Sequence, residues 1–290
     1  MKKLVLFIAA LAFCTTFFSC EDLDDVAKEP MLIVKFKFDD NQIRLNNLGQ
    51  PSTIPFGNAA QSPIFNSISS HYIELAQDAN TQLGNGQVIY HAPETVVGGS
   101  NAIDFSQAKI VGENEAFLTI PLKDVLAGNY EWLRVSLSYQ NFQISVRHQG
   151  QNYDGTLASF VGFNTYIGTH SIGNATFPVN GNVEQGYWAF ALNNNPYSSS
   201  GQAPANATTV PNPLSTTSPI PAGSCVVTGK FETPLVITGN EKKDVTITLS
   251  LSINKSFEWH EVTADGKYEP SIGENVVDMG LRGLIPSYVK

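Results

Sequence analysis

Ten residues, DVTITLSLSI from Asp244 to Ile253, constrain the fold more than any other stretch of this chain. Val245, Ile247, Leu249, Leu251 and Ile253 alternate without a slip against Thr246, Thr248, Ser250 and Ser252. A helix would scatter those five aliphatic side chains around its axis, whereas a strand places them all on one face. Period two sustained this long predicts one buried face and one wet face, the habit of an antiparallel sheet packed on one side. LIVKFKF reads the same way, with Leu32, Val34, Phe36 and Phe38 on one face and Lys35 and Lys37 on the other.

Strand signals recur through AFLTIPL (116–122), YEWLRVSLSY (130–139), NFQISV (141–146), TLASFVGFNTYI (156–167) and GYWAFAL (186–192). Leu133, Val135, Leu137 and Tyr139 occupy odd positions, but Phe142, Ile144 and Val146 occupy even ones. A change of parity needs an inserted residue, so a bulge or tight bend is expected near Gln140-Asn141. SSHYIELAQ reads either as a helical turn or as a strand. Many strands punctuated by Gly, Asn and Pro, without alternating helices, predict an all-β fold, an antiparallel β-sandwich over residues 31–290. Residues 193–224 depart in composition. They carry six prolines amid Ser, Asn and Thr, and form a long insertion read either as a flexible loop or as a stiffened surface lid.

The N-terminus has a different grammar. Lys2 and Lys3 precede LVLFIAALAFCTTFF, an apolar run of 15 residues. A membrane-spanning helix takes about 20 residues, so a basic head on a shorter run reads as an export signal over residues 1–19. Ser19-Cys20 is similar to a bacterial lipobox, which makes Cys20 the lipidated residue and new N-terminus. Glu21, Asp22, Asp24 and Asp25 follow at once. They would repel one another in a core, and residues 20–30 are read as a solvated acidic tether. Acids directly after the lipid-bearing cysteine resemble the export signal of Bacteroidetes surface lipoproteins. That resemblance implies an outer-membrane protein held by its lipid (palmitate) and facing the cell exterior; the alternative is a hydrophilic linker on the periplasmic face.

A net charge of −9 leaves no electrostatic footprint for nucleic acid. Of the three cysteines, Cys14 leaves with the signal and Cys20 is acylated, so no intramolecular disulfide is expected. Cys225, in SCVVTGKF, is read as a small buried hydrophobe.

Catalytic signatures are sparse. G-x-S-x-G, H-E-x-x-H, phosphate-cradling glycine loops and EF-hand spacing are missing from the chain. Paired carboxylates for glycoside hydrolysis are a spatial arrangement that a sequence does not display. His71, His91, His148, His170 and His260 are scattered along the chain. The best local arrangement is Glu258-Trp259-His260: on a strand, Glu258 and His260 share a face and could supply half of a metal site. Trp132, Tyr187, Trp188 and Trp259 are candidates for a stacking platform on which a sugar ring could lie, with Tyr130 beside them.

Four segments resemble the MbnP-like domain, a β-sandwich family associated with copper and with methanobactin operons. FKFD (36–39) is similar to its opening strand and FNSISSHYIEL (65–75) to its YYISNI-L segment. AGNYEWLRVSLSYQN (127–141) resembles its G-x-Y strand and QGYWAFAL (185–192) its YW-W strand. The matching positions are Tyr72, Gly128, Tyr130, Tyr187 and Trp188. The resemblance implies a sandwich with a copper-binding or partner-protein role. Taken together, the expectation is a surface-anchored lipoprotein with a non-catalytic binding or structural role, toward an unidentified glycan or protein partner. The alternatives are an MbnP-like copper binder, a carbohydrate-binding accessory lipoprotein and a glycoside hydrolase.

Overall fold

The computed structural model describes residues 28–46, 48–203 and 216–290. Among these, eighteen strands follow one another with only three short 3-10 turns between them. They are β1 (Met31–Asp39), β2 (Asn58–Gln61), β3 (Ile64–Ala76), β4 (Gln87–His91), β5 (Glu94–Thr95) and β6 (Ala102–Asp104). Next come β7 (Ala116–Pro121), β8 (Gly128–His148), β9 (Gln151–Phe160), β10 (Asn164–Ile172), β11 (Ala175–Glu184) and β12 (Tyr187–Leu192). The last six are β13 (Ser198–Gln202), β14 (Cys225–Ile237), β15 (Val245–Ser252), β16 (Phe257–His260), β17 (Val276–Met279) and β18 (Leu284–Val289). The chain is an all-β sandwich. The ambiguous segment around His71-Tyr72-Ile73 is strand, within β3.

A seven-stranded sheet, in the order β13-β12-β9-β8-β3-β4 with β14 also on β8, is the centre of the molecule. Three smaller sheets accompany it: β18-β15-β1-β7, β11-β10-β6-β5 and β17-β16-β2. Pairings are antiparallel except β1 with β15 and β6 with β10. The alternation in DVTITLSLSI appears as expected, with Val245, Ile247, Leu249 and Leu251 fully buried and the intervening Thr246, Thr248 and Ser250 half-buried. This strand nevertheless lies parallel to β1 and antiparallel to β18. Period two reports a wet face and a dry face, and carries no information on strand direction.

The parity change has a definite origin. Ser69 of β3 faces Tyr139 and Ser70 faces Leu137, so Ser138 is the extra residue on β8. Its carbonyl accepts the N–H groups of Val161 and Gly162 at 2.9 and 3.2 Å, which stabilises the bulge. The bulge lies two residues before the expected Gln140. Tyr139 therefore faces away from Leu133, Val135 and Leu137, while Phe142 and Ile144 return to their side. One face of β8 thus serves two cores in succession. Leu133, Val135 and Leu137 pack with β1, β14 and β15, and Phe142 and Ile144 pack with Leu157, Phe190, Phe257 and Trp259. Tyr139 joins a third core, with Phe160, Ile167 and Ile172.

The Pro-rich segment 193–224 is partly strand. It begins with the β12–β13 hairpin and ends with Ile220 and Ser224 buried, Pro219 accepting a hydrogen bond from the Tyr72 hydroxyl at 3.2 Å. Residues 204–215 of this insertion lie outside the described residues, as do Cys20 and the acids Glu21, Asp22, Asp24 and Asp25.

Candidate functional site

Between the central sheet and the β16–β17 pair lies a cavity of about 800 Å³. The central sheet supplies Ile144 and Val146 of β8, Leu157 of β9 and Phe190 and Leu192 of β12. Phe257, Tyr268, Val276 and Met279 close the opposite wall. Two glycines shape the aromatic wall. A Cβ on Gly155 would stand 2.2 Å from the Phe190 ring, and one on Gly201 would stand 2.9 Å from the Trp188 indole. Only glycine lets these rings lie flat across the neighbouring strands. The mouth is polar and wetter: Arg147, His148, Asn195 and Ser271 line it beside the half-exposed rings of Tyr153 and Tyr197.

Size and lining fit a small-molecule site, which is usually concave, mostly apolar and provided with a few polar groups to fix orientation. Tyr268 is half-buried and packs against Phe257 and Trp259, at ring distances of 5.1 and 5.6 Å, and desolvation pushes its phenol up to about 12. The carboxylate in the lining is Glu274, whose oxygens already accept N–H bonds from Val262 (3.1 Å), Thr263 (3.4 Å) and Glu269 (2.6 Å). It fastens the 262–274 loop and has little capacity left for a substrate.

The aromatic residues nominated from sequence are dispersed. Trp188 lines the cavity. Tyr187, its strand neighbour, points to the other face and packs with Phe160. Trp259 is fully buried in the core behind the cavity. Trp132 lies elsewhere on β8, under the Lys230 ammonium at 5.9 Å from its ring. There is no four-ring platform, because alternation sends adjacent side chains to opposite faces.

Among the described residues, Glu258 and His260 are not gathered with a third possible ligand. Glu258 is buried, with one carboxylate oxygen 2.8 Å from an Arg44 guanidinium nitrogen and the other accepting from Asn58 at 2.7 Å. Arg282 lies 3.7 Å away and also pairs with Asp278, whose carboxyl burial raises to about 6. These four charges knit the β16–β17 pair to neighbouring segments. His260 is exposed. An isolated buried carboxylate is costly, so Glu258 recruits a guanidinium.

A different histidine cluster forms where β4 ends beside β3. His71 Nε2 lies 2.8 Å and His91 Nε2 3.2 Å from the same oxygen of Glu94, Oε1. The Asn101 amide donates to the other carboxylate oxygen at 2.7 Å. His71 is fully buried, and His91 and Glu94 are partly exposed. Burial holds the His71 imidazole below its ordinary value, and hydrogen bonding from His71 holds Glu94 at about 2, so a neutral ring donates to an ionised carboxylate. The Tyr72 ring stacks on His91 at 4.3 Å, and Phe163 lies 5.3 Å from His71. Sequence reasoning passed over this trio because 20 residues separate the two histidines. The one local signal was HAPE, in which His91 and Glu94 stand three residues apart.

Comparison with protein-family models, with curated proteins and with solved structures gives no match for this chain.

Proposed function

We propose that this protein is a lipid-anchored, non-catalytic binding lipoprotein of the outer membrane, displayed on the cell exterior through acylated Cys20 and the acidic tether at Glu21, Asp22, Asp24 and Asp25. Its ligand is a ring-bearing small molecule with an apolar face and a polar edge, of which the pyranose unit of a glycan is the leading case. The observation that carries this reading is the cavity of about 800 Å³, with Trp188, Phe190 and Tyr268 inside and polar side chains at its mouth. Aromatic faces offer sugar rings and other flat apolar surfaces dispersion contact, and the mouth offers hydrogen bonds to a polar edge. Glycoside hydrolysis needs two carboxyl groups about 5–9.5 Å apart. The lining residues supply Glu274, which is already engaged with backbone, and this favours binding over hydrolysis.

The test is a glycan-array screen followed by titration of intrinsic tryptophan fluorescence with any hit. Trp188→Ala is expected to weaken binding by at least tenfold, about 1.4 kcal/mol, while leaving the circular dichroism of the sheets unchanged. Equal affinity in Trp188→Ala would remove the cavity as the binding site. An array without hits, with binding only of apolar dyes, would retire the glycan and leave a purely apolar ligand.

A further inference from the structure

We propose that His71, His91 and Glu94 form a binding site for a first-row divalent transition cation, with Zn²⁺ the best match. The cluster shares no residue with the cavity and stands independently of the reading above. One ligand atom from each of the three residues lies within 4.8 Å of the other two. Tetrahedral zinc with bonds of about 2.0–2.1 Å spaces its donor atoms by roughly 3.3 Å. Both Nε2 atoms approach the carboxylate at 2.8 and 3.2 Å; on binding, each ring's proton passes to Nδ1 through solvent exchange, freeing the Nε2 lone pair, and small side-chain rotations open the space a cation needs.

The chemistry selects among cations. Two imidazoles and one carboxylate suit zinc and its neighbours, whereas Mg²⁺ and Ca²⁺ prefer oxygen alone. Three protein ligands leave a coordination position open, as in catalytic rather than structural zinc sites. Here that position faces solvent, because His91 and Glu94 are the partly exposed members. The surroundings hold the donors in place. Tyr72 and Phe163 fix the ring planes, β3–β4 pairing sets Tyr72 opposite His91, and Asn101 clamps the free carboxylate oxygen. Outer partners of this kind orient metal ligands.

The full-chain protein, purified in detergent, would be titrated with Zn²⁺ against a chromophoric chelator, with thermal melts alongside. One Zn²⁺ per chain is expected, with a rise in melting temperature that a large excess of Mg²⁺ does not reproduce. His91→Ala removes a partly exposed ligand and should weaken Zn²⁺ binding more than the roughly 10–100-fold expected for loss of an outer partner in Asn101→Ala. It should also abolish the zinc-induced rise in melting temperature. His71 is fully buried, so its replacement could simply unfold the chain and is not used. Failure of the unaltered protein to take up Zn²⁺, unchanged binding in His91→Ala, or equal binding of Mg²⁺ would each overturn the site.

Discussion

Among single residues, His170 reports most directly on burial. Its ring stacks on Phe177 at 5.2 Å and lies among Phe105, Phe160 and Tyr187, and neither ring nitrogen has a hydrogen-bond partner. Burial holds this imidazole below its ordinary value. The folded state thus resists a proton that the unfolded chain accepts once pH falls below about 6.5. More protons on the unfolded state mean that stability falls as pH falls, until the folded value is passed. His170→Phe keeps the ring and removes the titration. Denaturant melts at pH 7.5 and pH 5 should show a smaller loss on acidification for the variant than for the parent. The same loss in both would mean that His170 does not contribute.

At the scale of the element, β15 separates the two faces of a strand. Leu249 is fully buried, between Phe36 of β1 and Pro286 of β18 in register. Leu249→Ala should leave a cavity and cost about 2–5 kcal/mol. Ser250, one residue on, is half-buried opposite Lys37, and Ser250→Ala should stay within about 0.5 kcal/mol. Chemical denaturation of the two variants would decide it; similar losses at both positions would mean that the outer face of this sheet is covered. Ser252 breaks the pattern, since it is buried with its hydroxyl donating to the Gln42 carbonyl at 2.9 Å. The wet face therefore ends two residues after Ser250, where the 39–44 segment crosses over it.

For the whole molecule the question is where the sandwich is held. The reading above places it on the outer membrane through Cys20, so Cys20→Ala should move the protein from the membrane to the soluble fraction and abolish incorporation of labelled fatty acid. Replacing Glu21, Asp22, Asp24 and Asp25 with Ala should leave acylation intact but reduce protease accessibility on whole cells. Acylated Cys20→Ala protein would discard the anchor, and unchanged accessibility of the acid-free variant would make the acids a plain linker. A lipid anchor holds a folded domain at a surface without threading it through.

Some of this was legible in the residues themselves. Alternation in 245–252 and 32–38 assigned the buried faces, because period two is a local property of strands. The odd-to-even switch from Leu137 to Phe142 announced a bulge, although Tyr139 had to be seen opposite Ser69 before Ser138 could be identified as the extra residue. Cys225, followed by two valines, is buried as expected, and burial pushes its thiol up to about 12. Tertiary structure alone decided the rest. Parallel pairing of β1 with β15 joins segments more than 200 residues apart, and no local pattern encodes a partner or its direction. Arg44 meets Glu258 across a similar distance, which turned a supposed metal ligand into half of an ion pair. His71 reaches Glu94 only because β4 lies beside β3, and Trp188 and Tyr268 line one cavity only because distant segments come together. Periodicity fixes which way a side chain points; which neighbour it then meets is set by long-range strand pairing, whose selection rests on the burial of all the faces together.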